Sequence, residues 1–190
     1  MMLRVDVFKN YCDKSLETLK NKEEKIRLQL LEEPGNIKLK KELGNILYYK
    51  KDIDGAINVY LKLITLEPKS ASHNAFLGYL YYEKEVYQEA IKYLNISLDY
   101  DPKLSFVYFL LGNAYSRIGE IKEAIHCYDL AIFLDLDMYQ AHIDFAKKYE
   151  AMGRLEKALR EYKAAFEIDP RDGEINKKIQ ELNEKLREKS

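Results

Sequence analysis

The side chains that could carry chemistry are few and scattered. Three histidines, His73, His126 and His142, lie too far apart for the H-x-x-x-H spacing that sets two imidazoles on one helix face around zinc. Two cysteines, Cys12 and Cys127, form neither a CxxC pair nor a disulfide framework, and they read as ordinary thiols. The sequence has no GxxxxGK[ST] or GxGxxG phosphate loop and no G-x-S-x-G nucleophile elbow. Carboxylates are plentiful but sit beside lysines, as in Glu23, Glu24 and Lys25, the pattern of a solvated helix surface. A catalytic carboxyl pair needs a pocket that separates the two pKa values, and nothing marks one. The chain therefore reads as non-catalytic, with no metal ligand and no cofactor.

Composition narrows the remaining classes. The 190 residues are 47% hydrophobic and 33% charged, as in a folded domain. Lys and Arg (31) nearly cancel Asp and Glu (32), which leaves no electrostatic footprint for nucleic acid. No stretch approaches the ~18 apolar residues of a membrane span, so no membrane partner is expected. The first residues, MMLRVDVFKNYCDK, carry Asp6 and Asp13 and no sustained apolar core, unlike a secretory leader. The expected compartment is the cytoplasm.

What must position any binding residues is an internal repeat. Gly44, Gly78 and Gly112 are spaced by 34 residues, and the next step lands on Ala146. Ala56, Ala90, Ala124 and Ala158 keep that interval, as do Tyr60, Leu94, Tyr128 and Tyr162. Pro34, Pro68, Pro102 and Pro170 share the frame, with Leu136 the single interruption. The units are 37–70, 71–104, 105–138 and 139–172. Each reads as two helices. In unit three the first carries Val107, Leu111, Ala114 and Tyr115; the second carries Ile121, Ala124, Ile125, Tyr128 and Ile132 on one face. Gly119 and Gly153 mark the turn in units three and four, and prolines stop the second helices. Glycine inside a helix costs roughly 1 kcal/mol against alanine. Gly112 is expected to offset that cost by letting its helix approach the one carrying Ala124, with Tyr128 filling the space alongside.

The ends depart from the frame. Residues 173–190 carry a narrow stripe, Ile175, Ile179, Leu182 and Leu186, in an otherwise charged helix, as expected of a cap on the last repeat. Residues 1–36 place Phe8, Cys12, Leu16, Leu19, Ile26 and Leu30 near one side of a helix ended by Pro34-Gly35-Asn36. They read as an N-terminal cap or degenerate half-repeat, or alternatively as a self-association or groove-occupying helix.

The sequence resembles the tetratricopeptide repeat (TPR) family. Tyr108, Leu111, Gly112, Tyr115, Gly119, Ala124, Tyr128 and Ala131 carry the pattern in unit three; His142, Phe145, Ala146, Tyr149, Ala158, Tyr162, Ala165 and Pro170 carry it in unit four. The resemblance implies an all-α, right-handed superhelical solenoid of antiparallel helix pairs, with about four full repeats between two helical caps. It also implies a protein-interaction role, with the first helix of each pair lining a concave face. On that face it places Lys41, Asn45 and Tyr48, then Phe76, Tyr79 and Tyr82, then Phe106, Phe109 and Asn113, and finally Lys147. Exposed aromatic clusters mark interaction sites, so Tyr79, Phe106 and Phe109 are the expected anchors for a partner's peptide segment or helix. Asn45 and Asn113 share one position, and their carboxamides suit an extended backbone. Lys41 and Asn45 also match the start of the carboxylate clamp of chaperone-binding TPR domains. Phe76, Phe106 and Leu110 occupy its remaining places, so a terminal carboxylate is not the expected ligand. Unit one carries a net charge of +3, unit two −2 and unit three −3, which would suit a ligand of matching polarity. The alternative reading is a homo-oligomer in which the N-terminal helix fills a neighbouring groove.

Overall fold

The computed structural model describes residues 16–188, which are all-α and form ten helices. They are α1 (Leu16–Glu32), α2 (Ile37–Tyr49), α3 (Ile53–Leu66), α4 (Ala71–Glu83) and α5 (Tyr87–Tyr100), then α6 (Ser105–Ile118), α7 (Ile121–Phe133), α8 (Met138–Ala151), α9 (Leu155–Ile168) and α10 (Gly173–Arg187). They group into two compact units, one of residues 16–135 and one of residues 136–188. Within each unit consecutive helices pack on one another, in antiparallel pairs. Phe8 and Cys12 of the expected N-terminal stripe lie outside the described residues, as does the side chain of Leu16.

Local chemistry explains where the helices begin and end. The Asn36 side chain accepts from the Leu39 N–H at 3.0 Å, and the Asp137 side chain accepts from the Gln140 N–H at 2.9 Å. Asp52 and Asp172 cap α3 and α10 in the same way, satisfying donors that the first helical turn leaves without partners. The residues before Pro68, Pro102 and Pro170 are extended, with φ of −129° at Glu67, −144° at Asp101 and −129° at Asp169. Steric conflict with the following proline ring excludes the helical region there, so α3, α5 and α9 stop. Leu136 stands where proline is absent, and α7 instead runs out into Asp135 at φ +61°.

The turn inside each pair repeats one backbone conformation. Lys51, Glu85, Gly119 and Gly153, spaced by 34 residues, all have positive φ, between 64° and 83°. Glycine adopts that region without penalty. A side chain at Gly119 or Gly153 would meet nothing within 4 Å, so the backbone angle alone accounts for glycine there.

The first unit's core runs along α2 to α6 through Ile46, Tyr60, Leu63, Leu77, Leu80, Leu94, Leu110 and Leu111, all buried. Gly112 behaves as the sequence predicts: a Cβ built on it would lie 2.4 Å from Cε1 of Tyr128. At its N-terminal end α1 packs on α2 through Leu19 and Ile26. Glu23 of α1 accepts from Lys50 at 2.6 Å and from Arg27 at 2.7 Å. Burial pushes the Glu23 carboxyl up, but the hydrogen bonds and charges of Lys50 and Arg27 outweigh it and hold it below the usual range. In the second unit α10 packs on α9 through Ile175 and Leu182, and Lys178 reaches Glu150 at 3.3 Å.

On the side that α7 turns to its own pair, Ala124, Cys127 and Ala131 are buried and Tyr128 is half-buried.

Candidate functional site

The first helices of the first unit, α2, α4 and α6, bring the expected face together, but most of its rings are not open to solvent. Tyr48, Phe76, Tyr79, Tyr82 and Phe109 are buried, as is Asn45; Lys41, Phe106 and Asn113 are half-buried. The cause is that rings from successive first helices pack against one another. Tyr48 meets Tyr79 edge-on at 5.6 Å and Phe76 at 6.1 Å between centroids. Phe76 stacks on Tyr60 of α3 at 4.5 Å, and Phe109 lies 5.9 Å from Phe106 and 6.4 Å from Tyr128. Edge-to-face and offset contacts at these separations are the favourable geometry for aromatic quadrupoles. Leu110 is also buried.

Polar atoms inside this cluster are satisfied in a chain. The hydroxyls of Tyr48 and Tyr79 are 2.5 Å apart, and Tyr79 donates to the buried carboxylate of Glu83. A buried phenol without such a partner would incur the desolvation cost of an unmade hydrogen bond.

The two asparagines are held by tyrosines that the sequence did not connect to them. Tyr60 donates to Oδ1 of Asn45 at 3.0 Å, and Tyr128 donates to Oδ1 of Asn113 at 2.8 Å. Burial pushes the Tyr60 phenol far above its ordinary range, so it remains protonated and a donor. With Oδ1 engaged, each carboxamide is fixed in one orientation and its NH2 group is turned away from the tyrosine. The sequence held a signal for this pairing. Asparagine occurs 15 residues before tyrosine in units one and three; in unit two the same places hold Tyr79 and Leu94, and in unit four Lys147 and Tyr162. Lys147 is exposed on α8 of the second unit, and there Tyr162 donates instead to Glu150 at 3.0 Å.

Among the described residues the remaining titratable groups form no second centre. His73 is buried, edge-on to Tyr60, with Nδ1 3.3 Å from Glu67 but not aligned for a hydrogen bond. His142 Nδ1 lies 2.9 Å from the buried Glu161. His126 is exposed on α7. Among the described residues no group of three or more His, Cys, Asp and Glu side chains is placed to hold a metal ion. Nor is any described helix long and apolar enough to cross a membrane.

Family models decide what kind of array this is. A TPR repeat model matches residues 44–84, and a tetratricopeptide repeat model matches 107–137 and 139–172, together more than half of the chain. The chain is a TPR protein. No curated protein sequence matches it. Among solved structures, MamA (residues 41 to the end) from Desulfovibrio magneticus RS-1 superposes with a TM-score of 0.63 at 17% identity, over 91% of this chain and 99% of that one. TTC0263, a thermophilic TPR protein of Thermus thermophilus, gives 0.56 at 20%, over 83% and 86%. YrrB, described as a TPR protein with an unusual peptide-binding site, gives 0.57 at 20%, over 85% and 84%. These likenesses show the TPR fold. TPR domains are typically protein–protein interaction modules and generally non-catalytic.

Proposed function

We propose that this TPR protein is a non-catalytic binding module that holds a peptide segment or a helix of a partner protein along the α2, α4 and α6 face. The observation that carries the reading is the matched pair Asn45 and Asn113. Each carboxamide oxygen is fixed by a tyrosine of the following helix, so the NH2 groups are pre-oriented as donors for a partner's backbone carbonyls. Between them, the Tyr48, Phe76 and Tyr79 cluster and the Phe106 and Phe109 pair form an aromatic floor, with Lys41 at one end. The peptide-binding site of YrrB, a protein of the same fold, supports the assignment by analogy.

The test follows from burial. Truncating Tyr79 or Phe109 would open the core, so Phe106 and Asn113, both half-buried, are the informative positions. Peptides selected on the wild-type protein from a displayed random library would be titrated against Phe106→Ala and Asn113→Ala variants. The expected loss is about 30-fold for the phenylalanine, the scale of an interface anchor. Unchanged affinity in both folded variants would place binding elsewhere.

A further inference from the structure

The proposed peptide face leaves one feature of the first unit unused, a groove of about 700 Å³ lined by α1, α2 and α3. Buried Leu43 of α2 and half-buried Val59 of α3 line it, together with Leu28 and Leu31 of α1. These last two stand one helical turn apart and are 65% and 77% exposed. The repeat itself leaves this side of the helix open. One period later the same places on α3 hold Lys62 and Thr65, both exposed although α2 and α4 pack on that helix. Where α3 carries polar residues at these places, α1 carries leucine, and the two leucines extend the apolar lining of the groove into a contiguous patch.

Charge and shape say what fits there. The cations Arg27, Lys40 and Lys62 line the groove against the carboxylate of Glu24. Arg27 gives its Nε–H to Glu23, and Lys40 donates to the Pro34 carbonyl, which leaves further N–H donors on both. An anionic group at the rim therefore meets several donors, and an apolar group meets the leucines. A small molecule is held with most of its surface covered, whereas leucines this exposed leave room for a rod laid across them. We propose that the groove receives a partner helix that is apolar on one side and acidic beside it. Leucine-like residues at one-turn spacing would sit against Leu28, Leu31 and Leu43, and Asp or Glu side chains would point toward Lys40 and Lys62. The site shares no residue with the α2, α4 and α6 peptide face and does not depend on that reading.

A phage-displayed library of helical peptides, with leucines fixed at one-turn spacing and Glu, Gln or Lys varied beside them, is panned on the whole chain. Clones rich in Glu should be enriched over those rich in Lys. The leading clone, made as a labelled synthetic peptide, is then titrated by fluorescence anisotropy. Leu31→Glu should weaken it by about tenfold or more, because it sets a carboxylate in the apolar contact. Lys62→Glu should weaken it by about tenfold, and that loss should shrink as salt is raised. Phe106→Ala should leave it unchanged. Leu31 and Lys62 are both exposed, so these variants should retain wild-type helicity by circular dichroism. No enrichment of acidic clones overturns the proposal, as does a leading clone indifferent to Leu31→Glu or to Lys62→Glu. Binding of phosphatidylglycerol vesicles that Leu31→Glu abolishes, with no peptide bound, would make the patch a membrane contact and overturn the partner helix.

Discussion

Replacing Gly112 by alanine should destabilise the protein although it improves the helix. Alanine in a helix interior is favoured over glycine by about 1 kcal/mol. Against this, the new Cβ would stand 2.4 Å from Cε1 and 2.6 Å from Cδ1 of Tyr128, where carbon atoms normally keep about 3.5–4.0 Å. The ring must move by roughly an ångström in a packed interior, a displacement of the kind that costs about 1–3 kcal/mol. It also takes the phenol off Asn113, now 2.8 Å away, for about 1 kcal/mol more. The net loss is about 1–3 kcal/mol. Urea denaturation followed by far-UV circular dichroism measures it. Gly173→Ala is the control, since a Cβ there meets nothing within 4 Å and should cost nothing. Tyr128→Phe, made in both backgrounds, isolates the hydrogen bond: it should cost about 1 kcal/mol in wild type and near zero in the Gly112→Ala variant. An alanine variant as stable as wild type, or more so, would refute the argument. In unit four Lys147 stands in the asparagine's place, and the Tyr162 hydroxyl goes to Glu150 instead.

The other perturbations are simpler. Glu85→Gly should raise stability by about 0.5–1 kcal/mol in the same urea assay, because a left-handed φ costs a side chain about 1–2 kcal/mol and glycine gives back part of that gain as chain entropy; a loss would mean that the Glu85 side chain makes a compensating contact. Tyr79→Phe should cost about 1–3 kcal/mol by removing the hydroxyl that joins Tyr48 to buried Glu83, and an unchanged denaturation midpoint would count against that chain. Burial pushes the His73 imidazole down, with Glu67 opposing and Lys41 adding to the shift. The unfolded chain therefore takes up that proton first, and stability contributed above about pH 6.5 is lost as pH falls toward the folded value. His73→Phe should flatten the stability profile below about pH 6.5, and an unaltered slope would remove His73 from the account. Burial, helped by Glu123, pushes the Cys127 thiol up to about 11. In a Cys12→Ser background a thiol reagent at neutral pH should label the native protein slowly and the unfolded protein at once, and fast native labelling would contradict this.

Much of the fold was legible because the packing rules repeat. The 34-residue recurrence of Gly44, Gly78 and Gly112 against Tyr60, Leu94 and Tyr128 is a statement about helix crossings, and the built Cβ contacts are those crossings. The ring environment was not legible. Whether Tyr79 faces solvent or Tyr48 depends on how adjacent first helices lean together, which a period along one helix does not encode. The left-handed turns at Lys51 and Glu85 are carried by register rather than by residue type. Each lies a whole number of periods before Gly119, and register carries the backbone requirement even where the residue type does not advertise it.

That register bears on whether repeats can be exchanged. Four turns share one backbone conformation, and residues 44, 45 and 60 match 112, 113 and 128 in type. The segment 105–138 could thus be transplanted into the place of 37–70 with its turn geometry, its close helix crossing and its tyrosine–asparagine bond all travelling intact. What would change is the surface. The lysine-rich character of the first slot would give way to an acidic one, so such chimaeras would read out how charge, at constant backbone, selects a partner.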